Sequence, residues 1–219
     1  MFRGESVGAD TSDYITDYKD MSIMTFRDIL ENYKGYQGYY VLSKVFSILD
    51  LPYYVWFGFV ELVLVSAIAR FINKYSNDKL FSILIFITTG FFMFSLAGLK
   101  QTLAMGFVFH AYIDFVEKHY LRFLALNVLA YTIHIVALLG DLIIIFYIIR
   151  NRRVYYPIFV VLLFSILFGG MYLVSSLTKI IGNDHYGSTY LNTGHSYSGT
   201  TLYFYLFVLG CTIDRKSVV

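Results

Sequence analysis

The chain is poor in nearly everything that marks a soluble or secreted domain. It has one cysteine, Cys211, two prolines and one tryptophan in 219 residues. A single cysteine excludes an internal disulfide and any cysteine-built metal site, and reads most simply as a small apolar residue. Charge is scarce too, at 15% of residues with a net charge of +2. Soluble domains carry roughly a quarter charged residues, and no basic stripe with interleaved aromatics argues for a nucleic-acid partner. The start, Met1-Phe2-Arg3-Gly4-Glu5, lacks the basic-then-apolar run of a signal peptide. Walker loops, dinucleotide glycine fingerprints, nucleophile elbows and zinc-type histidine spacings are all missing.

What is abundant is apolar. Hydrophobic residues make up 58% of the chain, the mean hydropathy is +0.62, and tyrosine and phenylalanine number 21 each. A chain of this length cannot hide so much apolar surface in its own core, so lipid is expected to cover the rest. Aromatic belts at the membrane interfaces account for part of the ring excess. Leu51 to Ala69 is apolar except for Glu61, and Leu80 to Leu99 and Tyr155 to Leu177 carry no charge. Thr102 to Phe115 and Thr200 to Ile213 are shorter, and Leu121 to Ile149 is long but interrupted by Arg122, His134 and Asp141. A helical crossing needs about 20 residues. The expected fold is therefore an all-α, polytopic membrane helix bundle of about six apolar segments, some short or re-entrant.

Two regions are expected. Residues 1–50 form a polar, aromatic-rich external segment with helices at Ser12 to Met21 and Thr25 to Tyr33, and an interfacial helix at Tyr36 to Leu49. Residues 51–219 form the bundle, with an external polar loop at 179–199. Four clusters of Lys and Arg, around residues 70–79, 118–122, 150–153 and 215–216, mark cytoplasmic loops. All four share one side only if Leu121 to Ile149 is a bent pair of half-helices with its apex near His134. That topology gathers residues 1–50, the Lys100-Gln101 turn, His134 and the 179–199 loop over one external mouth.

Four stretches carry the candidate chemistry. Arg3 precedes Val7-Gly8-Ala9-Asp10-Thr11 and Tyr14. Arginine offers a fixed fork of donors for phosphate, and Asp10 can act as a base or hold a sugar hydroxyl; alternatively Asp10 or Thr11 only caps a helix. Lys100 and Gln101 lie between two apolar runs, where the ammonium either snorkels to the interface or neutralises a diphosphate. Gly98, Thr102 and Gly106 recur every four residues, a seam of small residues for close helix packing. His134 sits inside an apolar run, either as a core histidine or as a functional group, since ionisable residues in lipid are functional candidates by default. Glu61, Asp114 and Asp141 share that default. His110 and Asp114, at i,i+4, are expected to hydrogen-bond each other rather than to hold a metal.

In order and spacing these stretches resemble the EpsG family of bacterial polysaccharide polymerases, related to the Wzy polymerases. The family pattern is an arginine before V-G-T-D-T-x-x-Y, a Glu-Gly-aromatic stretch, an R-Q-x-x-A turn and Ala-x-x-aromatic-His in a later span. Here it reads Arg3, Val7 to Tyr14, Gln37-Gly38-Tyr39, Lys100-Gln101-Thr102-Leu103-Ala104 and Ala130-Tyr131-Thr132-Ile133-His134. Lys100 stands in place of the family arginine and Gln37 in place of a glutamate. The family pattern also has a membrane helix ahead of the arginine, so the chain is expected to be a truncated member, poorly inserted or inactive when expressed alone.

The resemblance implies a glycosyltransferase-type polymerase of capsule and exopolysaccharide, joining oligosaccharide repeat units carried on polyprenyl diphosphate. It implies a multi-pass protein of the bacterial inner membrane with its active site on the external face. Arg3 and Lys100 would hold the diphosphate, Asp10 or His134 would activate the acceptor hydroxyl, and Thr11, Tyr14, Gln37 and Gln101 would bind substrate. No cofactor is implied, and participation of a divalent metal is left open. Partners would be the lipid-linked oligosaccharide, membrane lipid, and a flippase and chain-length regulator of the same pathway. The alternative is a transporter or flippase for lipid-linked saccharide, or a non-catalytic export subunit, with Glu61, Asp114 and Asp141 as ion-coupling sites.

Overall fold

The computed structural model describes residues 10–135 together with Ala137, Leu138, Gly140 and Ile144. The expected segments at 155–177 and 200–213 and the loop at 179–199 lie outside them, as does Arg3. The chain divides into two compact units, and every element below belongs to the first. Among the described residues the ordered structure is helical throughout, without strands: α1 Thr11–Ile23, α2 Phe26–Asn32, α3 Gln37–Ile48, α4 Tyr53–Tyr75, α5 Lys79–Thr88, α6 Phe91–Ala97, α7 Leu99–Val116 and α8 Tyr120–Ile133.

Local sequence sets the starts and stops. Thr25 and Asp28 form a reciprocal capping box on α2, with Thr25 N donating to Asp28 Oδ2 at 2.9 Å and Asp28 N donating to Thr25 Oγ1 at 3.3 Å. Pro52 precedes α4, where its fixed φ leads into the helix and its missing N–H costs nothing. Asp78 caps α5 by accepting from Phe81 N at 3.0 Å.

α4 has 23 residues and is the one described helix long and apolar enough to cross a membrane. At about 1.5 Å per residue it extends roughly 35 Å, against a hydrocarbon core of about 30 Å. The run Leu80 to Leu99, expected as a second continuous span, is instead α5 and α6 bent by 51°. The break has two causes in the sequence. Gly90 sits in the left-handed region at φ 83°. Just before it the hydroxyls of Thr88 and Thr89 donate to the carbonyls of Leu84 and Ile85 at 2.7 and 2.5 Å, competing with continuation of the helix. α8 ends at Ile133, with extended backbone at His134 (φ −159°, ψ 133°), at the position expected for the apex of a bent pair.

α7 packs against both α4 and α8. Gly106 is what lets α4 approach: a Cβ there would lie 3.0 Å from Leu64 N and 3.1 Å from Leu64 Cα. Of the small-residue seam, Gly106 thus faces α4, while Thr102 donates to the Ser95 carbonyl on α6. Gly38 plays the same part between α3 and α8, since a Cβ there would overlap the Thr132 hydroxyl and lie 3.0 Å from the Thr132 carbonyl carbon. The core joining these helices to α1 and α2 holds Met21, Ile29, Tyr39, Trp56, Leu99, Leu103 and Ile133, all essentially without exposure.

One expectation about a polar pair is corrected here. His110 and Asp114 do not pair with each other. Asp114 accepts from Arg70 on α4 at 2.7 Å, and His110 Nε2 meets Ser66 Oγ at 3.1 Å. Arg70 also reaches Glu117 at 2.7 Å, and Lys74 pairs with Glu117 as well. An arginine one helix away wins because its long side chain delivers charge to a buried carboxylate that a histidine on the same helix can serve only weakly. Lys44 on α3 is turned inward. It is buried, and its Nζ donates to the Ser22 carbonyl at 3.2 Å, tying α3 to the end of α1.

Candidate functional site

The site is built around Lys100, in the first turn of α7 just after the helix break at Gly98. Its side chain is 20% exposed and does not run out to an interface. It turns under α1 and α3 instead. Nζ donates to Tyr40 Oη at 2.6 Å, Tyr40 Oη donates to Asp17 Oδ2 at 2.6 Å, and Nζ stands 3.6 Å from Asp17 Oδ2. Four tyrosine rings surround the ammonium, with centroids at 4.6 Å (Tyr40), 5.0 Å (Tyr36), 5.4 Å (Tyr14) and 5.8 Å (Tyr39). All lie within the roughly 6 Å over which a ring face attracts a cation.

The helix register explains the cage. Tyr36 caps the start of α3 and Tyr39 and Tyr40 follow at i+3 and i+4, so three rings share one side of one helix. Tyr14 and Asp17 repeat that spacing on α1. Behind the cage Trp56 Nε1 donates to Tyr39 Oη at 3.2 Å, fixing one ring to the head of α4. The Tyr33 ring lies tilted against Tyr40, with centroids 3.9 Å apart.

Charge is closely balanced. Burial pushes the Lys100 ammonium below its ordinary value, while Asp17, and more weakly Asp10 and Asp13, pull it back up. Tyr14 and Tyr40 are held well above the usual phenol range, first by burial and then by the neighbouring carboxylates of Asp10 and Asp17 respectively. Both phenols are therefore donors at neutral pH rather than anions.

Each residue singled out in the sequence has a definite place. His134 is buried beside the cage, its ring 5.4 Å from that of Tyr36, which also covers Lys100. Tyr14 is a cage wall. Asp10 occupies the N-cap position of α1 but makes no side-chain capping bond, so the cap reading does not account for it; Thr11 is buried in the first turn. Gln37 is held away from the cage, its Nε2 donating to the Leu30 carbonyl at 3.1 Å. Gln101, partly buried, folds back toward Gly98, its Oε1 3.1 Å from where a Cβ on that glycine would stand. Sequence reasoning missed Asp17, Tyr36 and Tyr40. The signal was present in the i, i+3, i+4 tyrosine spacing, but nothing local said which helix would face it. Among the described residues no group of three His, Cys, Asp or Glu side chains is arranged to hold a metal ion.

The described residues form an all-helical unit with one helix of membrane length and a lysine held by tyrosines where three helices meet, a polar site under the N-terminal helices. The EpsG family pattern matches residues 1–216, and the chain belongs to that family. It is a membrane-associated protein of polysaccharide biosynthesis. No curated protein and no solved structure matches it.

Proposed function

We propose that the chain is a polysaccharide polymerase that joins oligosaccharide repeat units carried on polyprenyl diphosphate at the external face of the bacterial inner membrane. The observation that carries this reading is the meeting of Tyr14, Tyr36, Tyr39, Lys100 and His134. They come from four separate stretches of sequence and share one ammonium-centred site. A diphosphate leaving group needs a fixed cation, because its negative charge grows as the anomeric carbon–oxygen bond breaks. Lys100 supplies that cation in a setting where burial strengthens every electrostatic contact. The acceptor hydroxyl oxygen forms the new bond to the anomeric carbon, the diphosphate departs with the old bonding pair, and the hydroxyl proton passes to a base. Asp10, uncommitted to a cap, and His134 are the two groups for that role. Arg3, outside the described residues, would add a second cation for the diphosphate, and Thr11 and Gln101 remain substrate-binding candidates. Tyrosine faces suit the C–H faces of sugar rings.

One observation favours the transporter reading. Glu61, within α4, is buried and accepts from Ser95 on α6 at 3.1 Å, beside Thr102, whose hydroxyl donates to the Ser95 carbonyl at 2.9 Å. A carboxylate there, next to two broken helices, is the kind of group that couples ion movement. Incubating the purified chain with a lipid-linked repeat unit in detergent, where there are no two sides to transport between, separates the readings. Polymer formation supports the polymerase; an unaltered repeat unit in detergent together with translocation in sealed vesicles would support the transporter.

A further inference from the structure

The three N-terminal helices leave a set of large apolar side chains exposed. Ile23 is 82% exposed, Leu49 63%, Ile48 58% and Leu30 51%, and Phe26 and Val45 are exposed as well. They belong together in space. The bond from Lys44 Nζ to the Ser22 carbonyl brings the end of α1 to the C-terminal half of α3, so Ile23 and Val45 each follow a bonded residue. Phe26 opens α2 just beyond Ile23, and Leu30 follows it at i+4. Ile48 and Leu49 close α3 and run into Leu51, whose carbonyl accepts from Tyr18 Oη at 2.6 Å. Two residues later α4 begins with Tyr53 and Tyr54, side chains of the kind that sit at a membrane interface. Lys44 on α3 is drawn inward to the Ser22 carbonyl, while Lys19, Arg27 and Lys34 stand exposed beside the edge, as cations flanking an interfacial apolar face do. Large apolar side chains left exposed together mark a contact surface.

We infer that this edge of α1, α2 and α3 lies in the headgroup–acyl boundary of the bilayer that α4 crosses, so that the N-terminal helices form a cap resting in the membrane surface. The occupant is lipid because the edge is continuous, through Leu49 and Leu51, with the apolar helix of membrane length. Interfacial helices hold on by laying such a face into that boundary. The consequence for the site is direct. The same three-helix cap roofs Lys100, so seating it in the interface keeps the ammonium near headgroup depth, where a lipid-anchored diphosphate lies.

The inference rests on the membrane reading of α4, and the experiment separates the two. In the full chain carrying Cys211→Ala and reconstituted in phosphatidylethanolamine–phosphatidylglycerol nanodiscs, nitroxides are attached through single cysteines at Ile23, Leu30 and Ile48. Controls are Leu62 and Val65, exposed on α4, and Asp13, exposed on α1. Relative accessibility to oxygen and to a water-soluble nickel chelate gives depth. The expected result is deep labels at Leu62 and Val65, shallow lipid contact at Ile23, Leu30 and Ile48, and an aqueous label at Asp13. Aqueous labels at Ile23, Leu30 and Ile48 with Leu62 still in lipid overturn the inference alone. Aqueous labels at Leu62 and Val65 overturn the membrane reading with it. Spin–spin broadening at Ile23 or Ile48 that vanishes on dilution with unlabelled chain assigns the edge to a second copy and overturns it as well.

Discussion

At the scale of single residues, Lys100 turns a local ambiguity into a site. A lysine between two apolar runs has no preferred direction in the sequence, and the four rings and Asp17 supply one. Lys100→Ala is expected to lower polymerisation by about 100-fold, the scale of losing one preorganised donor at a developing charge. Lys100→Arg is expected to keep most of it, since guanidinium stacks on tyrosine and still pairs with a carboxylate. Chain-length distribution on gels measures both, and equal loss in the two variants would mean that shape rather than charge is needed. Asp17 is expected to hold the ammonium in its charged form. Burial lowers the Lys100 value and Asp17 raises it, so Asp17→Asn leaves the lowering unopposed by that carboxylate. The pH at which Lys100 becomes reactive toward an acylating reagent, read by mass spectrometry, should then fall. No movement would show that the ion pair is not formed.

At the scale of elements, three glycines in helices have different fates. Alanine gains up to about 1 kcal/mol of helix propensity over glycine. At Gly58 a Cβ would meet nothing within 4 Å, so Gly58→Ala is expected to raise the unfolding temperature in detergent. At Gly106 the new atom would press on the Leu64 backbone, and at Gly38 on the Thr132 backbone. Backbone cannot step aside as a side chain can, and overpacking costs about 1–3 kcal/mol, so both substitutions are expected to destabilise. Gly38→Ala should also lower activity more than Gly106→Ala does, because moving α3 off α8 separates the tyrosines from His134. The ion-pair cluster of Arg70, Lys74, Asp114 and Glu117 ties α4 to α7 near the other end of α7 from Lys100. Arg70→Ala should cost stability by stranding the buried Asp114, and Asp114→Asn in the same chain should recover part of it. A double-mutant cycle on thermal unfolding checks both.

At the scale of the whole molecule, the testable property is sidedness. The basic clusters predict that the N-terminal helices and Lys100 share the external side, with Arg70, Lys74 and Lys79 inside. A cysteine at Ser12 in a Cys211→Ala chain should react with an impermeant thiol reagent on intact cells. A cysteine at Ser76 should react only after permeabilisation. Protection at Ser12 would place the tyrosine cage on the cytoplasmic side and overturn the proposed external site. The remaining labelling positions of that topology, Asn151, Asn183 and Ser196, lie outside the described residues.

The sequence by itself determined the helical class, the long apolar run Leu51 to Ala69 that makes up most of α4, and the order of the motif stretches, because hydrophobic run length and turn chemistry are local properties. The starts of α1 and α2 were legible for the same reason: an acidic or hydroxyl residue at the N-cap position, Asp10 and Thr25, then a helix-compatible run. The break at Gly90 was less so, because glycine and two threonines are tolerated in many continuous helices and only the observed backbone at φ 83° decides between them. The partners of Lys100 were not legible at all. Tyr36, Tyr39 and Tyr40 lie about 60 residues from it in sequence, and their meeting depends on α1 and α3 folding back over the start of α7. That arrangement is set by tertiary packing, above all by Gly38 letting α3 close on α8. Asp114 teaches the same point from the other side. Its nearest histidine in sequence lost to an arginine 44 residues away, because a buried carboxylate takes the strongest cation that the packing of α4 on α7 brings within reach.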